Sequence, residues 1–135
     1  MVLQILLAED NEGDVLLVQQ ALAKHQIDHT LHVVCDGDEA LKFFASIGHG
    51  LPCPDVLLLD LNLPKVDGGE VLERFRKHPA CTKTPVIIVT SSNAPQDRKR
   101  VELLGANAYF RKPSDLHEFM ILGTVIKDVV QKSVA

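Results

Sequence analysis

Short, unbroken apolar runs alternate along the chain with longer stretches in which apolar residues return every three or four positions. Leu3 to Ala8, Asp55 to Leu59 and the run Val86 to Val89 behind Pro85 are of the first kind. Strands that are apolar at nearly every position are buried on both faces, the pattern of a parallel sheet. Asp28 to Val34 alternates less cleanly but reads as a further strand, and Asn107 to Phe110 as a short fifth one. Between them, Val15, Val18, Ala21 and Leu22 recur with helical spacing from about Glu12 to His25. A second helix carries Ala40, Leu41, Phe44 and Ile47, with Asp38 and Glu39 at the end where the macrodipole favours negative charge. Gly48-His49-Gly50 stops it, and Pro52-Cys53-Pro54 is a stiff lead-in to the third strand. Val71, Leu72 and Phe75 mark a helix from about Gly69 to Lys77, closed by His78-Pro79 because proline disfavours helix in the residue before it. Pro95 opens a fourth helix that Gly105 caps. Ser114, with Glu118 nearby, reads as the N-cap of a last helix reaching about Gln131.

Five strands alternating with five helices through short connections predict a doubly wound parallel α/β sheet with helices on both faces. No repeat, linker or low-complexity tract divides residues 1–135, so one domain is expected. In such sheets ligands gather at the carboxyl ends of the strands. There the first strand delivers Glu9 and Asp10, the third Asp60, the fourth Thr90 and the fifth Lys112. Clustered carboxylates repel unless a cation sits among them, and oxygen donors with open water positions suit Mg²⁺. A hydroxyl and an ammonium beside them are the groups that phosphoryl transfer needs around the transferred oxygens. The chemistry points to Asp60 as a nucleophile that forms an aspartyl phosphate, with Mg²⁺ alongside.

Composition changes this picture little. The 135 residues are 46% hydrophobic and 24% charged, which suits one domain with a real core. A net charge of −4 argues against a nucleic-acid surface as the main role. No run approaches the ~20 apolar residues of a membrane span. The amino terminus meets Glu9-Asp10 without a basic region, so no signal peptide is expected. Cys35, Cys53 and Cys81 are odd in number and lack C-x-x-C spacing, which predicts small packed thiols in a reducing, cytoplasmic compartment rather than a disulfide or zinc framework. The six histidines show no ligand spacing, and Arg98-Lys99-Arg100 reads as a solvated helix face.

Four ordered segments carry a resemblance: Glu9-Asp10-Asn11, Asp60 to Gly68, Pro85 to Ser91, and Tyr109-Phe110-Arg111-Lys112-Pro113. Over essentially its whole length the chain resembles a response-regulator receiver domain of two-component signalling. The Glu-Asp-Asn-x-x-Asp opening and Asn62-Leu63-Pro64-Lys65 look most like the single-domain regulators that pair with bacterial phytochromes. The resemblance implies the flavodoxin-like strand order 2-1-3-4-5 and no output domain. It implies Asp60 as phosphoacceptor from a sensor histidine kinase, with Asp10, Asp60 and the backbone carbonyl of Asn62 as Mg²⁺ ligands and Glu9 acting through a metal-bound water. Lys112 would pair with Asp60 or its phosphoryl group across a cis Lys112-Pro113 bond, and Thr90 and Tyr109 would be the switch pair. Such a domain catalyses only its own phosphorylation and dephosphorylation, passing its state to an unknown downstream protein.

Other readings fit the residues less well. A Mg²⁺-dependent phosphohydrolase of the haloacid-dehalogenase type wants an acid two residues after its nucleophile, where this chain has Asn62. A flavin-phosphate module wants a hydroxyl- and glycine-rich first loop, where this chain has Glu9-Asp10-Asn11-Glu12. On the last helix, Leu116, Phe119, Gly123, Ile126 and Val130 form the core stripe, whereas Ile121, Leu122, Val125 and Val129 form a second one. The second stripe is covered either by a neighbouring helix or in a homodimer through the fourth helix, fifth strand and fifth helix.

Overall fold

The computed structural model describes residues 2–134. Five parallel strands, β1 (Leu3–Ala8), β2 (His29–Val34), β3 (Val56–Leu59), β4 (Val86–Thr90) and β5 (Ala108–Arg111), form one sheet in the order β2-β1-β3-β4-β5. β3 pairs with β1 through Ile5↔Val56 to Ala8↔Leu59, and with β4 through Leu57↔Val86 to Leu59↔Ile88. The central strands are thus covered on both edges and both faces, and every residue of β3 is buried.

Strand alternation sorts the apolar residues into two cores. Leu57, Leu59, Val86 and Ile88 face α2 (Gly37–Ser46), α3 (Gly68–Lys77) and α4 (Pro95–Leu103), packing on Phe44, Phe75 and Val101. Val56, Leu58, Ile87 and Val89 face the opposite layer, packing on Val18 and Leu22 of α1 (Glu12–Lys24) and on Phe119, Leu122 and Ile126. Asn11, Asp36 and Asp67 cap α1, α2 and α3, each accepting a backbone N–H from the first turn. These caps lie at the carboxyl edge of the sheet, so the loops they fix are the loops that carry the polar cluster. Among the described residues no helix is long and apolar enough to cross a membrane.

Four local expectations are corrected. The last helix is broken into α5 (Leu116–Phe119) and α6 (Leu122–Val134), capped by Asp115 rather than Ser114. His25 explains the break. Its Nε2 lies 2.9 Å from the Met120 carbonyl, which a continuous helix would give to Thr124, and the Thr124 N–H bonds Ile121 instead. Gly123 leaves the room, since a Cβ there would fall 2.0 Å from the His25 ring. The break also takes Leu116 off the core stripe, leaving it 62% exposed. The second stripe is partly covered within the chain, because Leu122 is buried and Val125 and Val129 pack on the same core, whereas Ile121 stays exposed. Cys53 and Cys81 are joined as a disulfide, since the proline-flanked lead-in to β3 and the 3₁₀ turn at Pro79–Cys81 meet at a Cα–Cα distance of 5.9 Å. Only Cys35 among the described cysteines is a free thiol, and it is exposed. Finally, no peptide bond among the described residues is cis, Lys112-Pro113 included. Lys112 is aimed instead by the carboxylates it meets.

Candidate functional site

Asp60 follows directly on the buried strand β3, and its backbone N–H bonds the Ala8 carbonyl, which holds it against the end of β1. Its side chain is nearly inaccessible. One oxygen accepts the Asn62 N–H at 3.0 Å and the other accepts the Lys112 ammonium at 2.8 Å. The turn after it depends on Gly68, whose N–H bonds the Leu61 carbonyl and whose missing side chain lets α3 start against the backbone of Asp60. Gly37 allows a comparable approach, with its N–H on the Pro64 carbonyl, while Lys65 takes a left-handed φ of 70° and reaches Asp36 at 3.4 Å.

Glu9, Asp10 and Asp60 come together as expected, with one oxygen of each within 4.8 Å of the others. Glu9 and Asp60 are buried, and Asp10 is exposed. Lys112 reaches this cluster from the end of β5, bonding Glu9 at 2.7 Å and Asp60 at 2.8 Å. Its third carboxylate is Asp14, at 2.8 Å. Asp14 was not singled out in the sequence as a site residue, although it closes the Glu-Asp-Asn-x-x-Asp opening and lies in the first turn of α1, on a face that helical geometry can aim back at the strand ends.

Burial shapes the proton affinities. It pushes Glu9 from its ordinary 4.5 up to about 7, assisted by repulsion from Asp60 and opposed by Lys112. Burial pushes Asp60 upward too, but the Asn62 N–H, the Lys112 ammonium and the Thr90 hydroxyl more than offset it, so Asp60 lies below the usual carboxylate range. Lys112 is held above its ordinary value, because bonds to Asp14, Asp60 and Glu9 outweigh its desolvation. Asp60 therefore stays ionised near neutrality while Glu9 shares its proton. Two nearby carboxylates thus differ in nucleophilic readiness through environment alone.

Thr90, fully buried at the end of β4, accepts the Ser92 N–H at 3.3 Å. The Ser92 carbonyl in turn accepts the Tyr109 hydroxyl at 3.0 Å, and the Arg98 guanidinium carbon lies 4.3 Å from the centre of the Tyr109 ring. Tyr109 is thus joined to Thr90 through one intervening residue. The basic run is an exposed helix face, as expected, with Arg98 lying over Tyr109 and Arg100 pairing with Asp67 at 3.4 Å.

A doubly wound sheet with a carboxylate triad at its carboxyl edge, a convergent lysine and a strand-end threonine defines the receiver class of domains. Residues 5–122 match the family model for the response regulator receiver domain, and the chain belongs to that family. Among similar proteins, the response regulator Rcp1 of Synechocystis sp. is 39% identical over 116 residues, covering 84% of this chain and 79% of its own. The crystal structure of the phosphorylated cyanobacterial phytochrome response regulator RcpA superposes with a TM-score of 0.88 at 32% identity, over 98% of this chain and 96% of that one. The Mn²⁺-bound form of Rcp1 gives 0.83 at 36% identity, over 93% and 92%.

Proposed function

We propose that this receiver takes a phosphoryl group from the phosphohistidine of a sensor kinase onto Asp60. The observation that carries the reading is the Asp60 carboxylate, buried and ionised, with Lys112 on one oxygen and the Asn62 N–H on the other. As an Asp60 oxygen bonds phosphorus, the P–N bond of the donor breaks, its electron pair returns to the imidazole nitrogen, and that nitrogen takes up a proton. The donor set fits a hard divalent ion, since the clustered atoms are all carboxylate oxygens and exposed Asp10 leaves room for water. Asp10, Asp60 and the Asn62 carbonyl would hold Mg²⁺, with Glu9 acting through a bound water. When bound, the ion supplies positive charge that neutralises phosphoryl oxygens. Lys112 contributes a second positive charge from the protein itself and orients the acceptor.

Thr90 is placed to pass the change outward. Turning its hydroxyl to a phosphoryl oxygen gives up the Ser92 N–H, and Ser92 also holds Tyr109. Movement at Thr90 thereby biases the loop and ring on the α4–β5 surface, a local electrostatic event with a distant readout. The similarity to Rcp1 and RcpA supports a phytochrome-type kinase as donor, with a protein partner downstream. Incubation of the chain with acetyl phosphate and Mg²⁺, followed by intact mass, tests the central step. Wild type is expected to gain one phosphoryl group and Asp60→Asn none. Equal labelling of the two would sink the assignment.

A homodimer through α4, β5 and α6 is a further part of this reading. It is favoured by Leu103 of α4, which is 78% exposed. Sedimentation of the phosphorylated chain is expected to give twice the monomer mass for wild type and the monomer mass for Leu103→Glu. A monomer in both ends the dimer reading.

A further inference from the structure

The Lys112 ammonium has three N–H bonds and three anionic oxygens around it, on Glu9, Asp14 and Asp60 at 2.7, 2.8 and 2.8 Å. Its donor capacity is filled. Two of those partners, Glu9 and Asp60, belong to the cluster able to hold a cation, and Asp14 does not. Two partners are therefore claimed by other chemistry once the site is loaded. Asp60 would give up its carboxylate on phosphorylation, and Glu9 would be drawn to a cation held in the cluster. Asp14 alone of the three stands outside that chemistry and remains a partner for Lys112.

Its placement is also independent of the cluster. Asp14 lies in the first turn of α1, and its N–H is fixed by the Asn11 side chain at 3.0 Å. Its side chain is 26% exposed and approaches Lys112 from the solvent side, whereas that of Glu9 is 1% exposed.

We infer that Asp14 is a positioning residue that anchors the Lys112 ammonium over the site while its bonds to Asp60 and Glu9 are exchanged for bonds to the incoming phosphoryl oxygens. The inference rests on the phosphoacceptor reading above. An ammonium held by Asp14 can swing two N–H bonds onto phosphoryl oxygens and keep the third. Without Asp14, an ammonium on a flexible four-carbon stem has no fixed partner once Asp60 is esterified.

Beryllofluoride, a tetrahedral stand-in for the phosphoryl group, tests this without turnover. Its binding with Mg²⁺ is followed by ¹⁹F NMR, and Mn²⁺ affinity is measured separately from the free-ion EPR signal. Asp14→Asn is expected to bind beryllofluoride about tenfold more weakly, the scale of one lost charge-assisted hydrogen bond. Asp14→Glu keeps a carboxylate and is expected to recover most of that loss. Mn²⁺ affinity is expected to stay within about twofold in both, because Asp14 lies outside the cation cluster. Unchanged beryllofluoride affinity in Asp14→Asn overturns the inference. So does an equal loss in both variants, or a parallel loss of Mn²⁺ affinity, which would make Asp14 part of the metal site. Wild type failing to bind beryllofluoride at all would instead overturn the phosphoacceptor reading on which the inference stands.

Discussion

Lys112→Met is expected to cost the metal-free protein about 3 kcal/mol at pH 8, the scale of removing one partner from a buried ionic network. Lys112 is 10% exposed and Glu9 and Asp60 are 1% and 5% exposed, so little solvent screens what is left behind. Methionine fills much the same volume, and the loss is therefore electrostatic. Urea unfolding in EDTA measures it. Mg²⁺ should restore much of the loss by replacing the missing positive charge. pH separates this account from simple packing damage. Burial raises Glu9 from 4.5 to about 7, so between those values the folded chain holds a proton that the unfolded chain has released. This group's contribution is full below about pH 4.5 and fades as pH rises through about 7. Without Lys112 the proton is held more tightly still, so the deficit of Lys112→Met should be smaller at pH 5.5 than at pH 8. Asp60 works in the opposite sense, its contribution being present above its unfolded pKa and lost as pH falls below the ordinary carboxylate range. Equal deficits at pH 5.5 and pH 8 would contradict the electrostatic account.

Gly68→Ala is the second large effect. The added Cβ would lie 2.3 Å from the Asp60 carbonyl oxygen and 2.6 Å from the Leu61 Cα, both backbone atoms of the turn at the end of β3. No rotamer change relieves such a contact, so α3 or the turn itself must shift. Overpacking of this kind costs about 2–3 kcal/mol, and phosphorylation by acetyl phosphate should fall with stability because the Asn62 N–H on Asp60 belongs to the same turn. Gly13→Ala is the control. Its nearest neighbour is the Asn11 side-chain oxygen at 3.1 Å, a movable group, so only a small change is expected. Wild-type stability and labelling in Gly68→Ala would show that the turn yields more readily than its geometry implies.

Much of the site was legible because it obeys one simple rule. An unbroken apolar run such as Val56 to Leu59 must be buried on both faces, so the polar residue that ends it falls at the sheet edge. That rule located Glu9, Asp10, Asp60 and Thr90 from their strands, while Lys112 followed from the end of the short, half-buried fifth strand, and the structure brings these residues to one edge. The last helix was misjudged for a physical reason. Periodicity treats a helix in isolation, whereas His25, at the C-cap of α1, reaches the Met120 carbonyl. Arg76 escaped for the same reason, since its guanidinium joins the Thr84 carbonyl before β4 to the Gly105 carbonyl and Asn107 side chain of the α4–β5 loop, two loops far apart in sequence. Asp14 was half visible, as a letter in the opening motif without a partner to give it meaning.

By itself, the sequence determined which residues are strands, which ends are polar and which chemistry those ends suit. Hydrophobic period and turn chemistry are local properties and can be read locally. Tertiary structure decided who shares each charge. Lys112 divides its three bonds among Glu9, Asp14 and Asp60 because β1, α1 and β3 converge within reach of one ammonium. It also decided that Cys53 and Cys81 meet, that Tyr109 is tied to Thr90 through Ser92, and that the final helix is interrupted. Each depends on distances between segments far apart in the chain, which the fold sets and no local pattern contains.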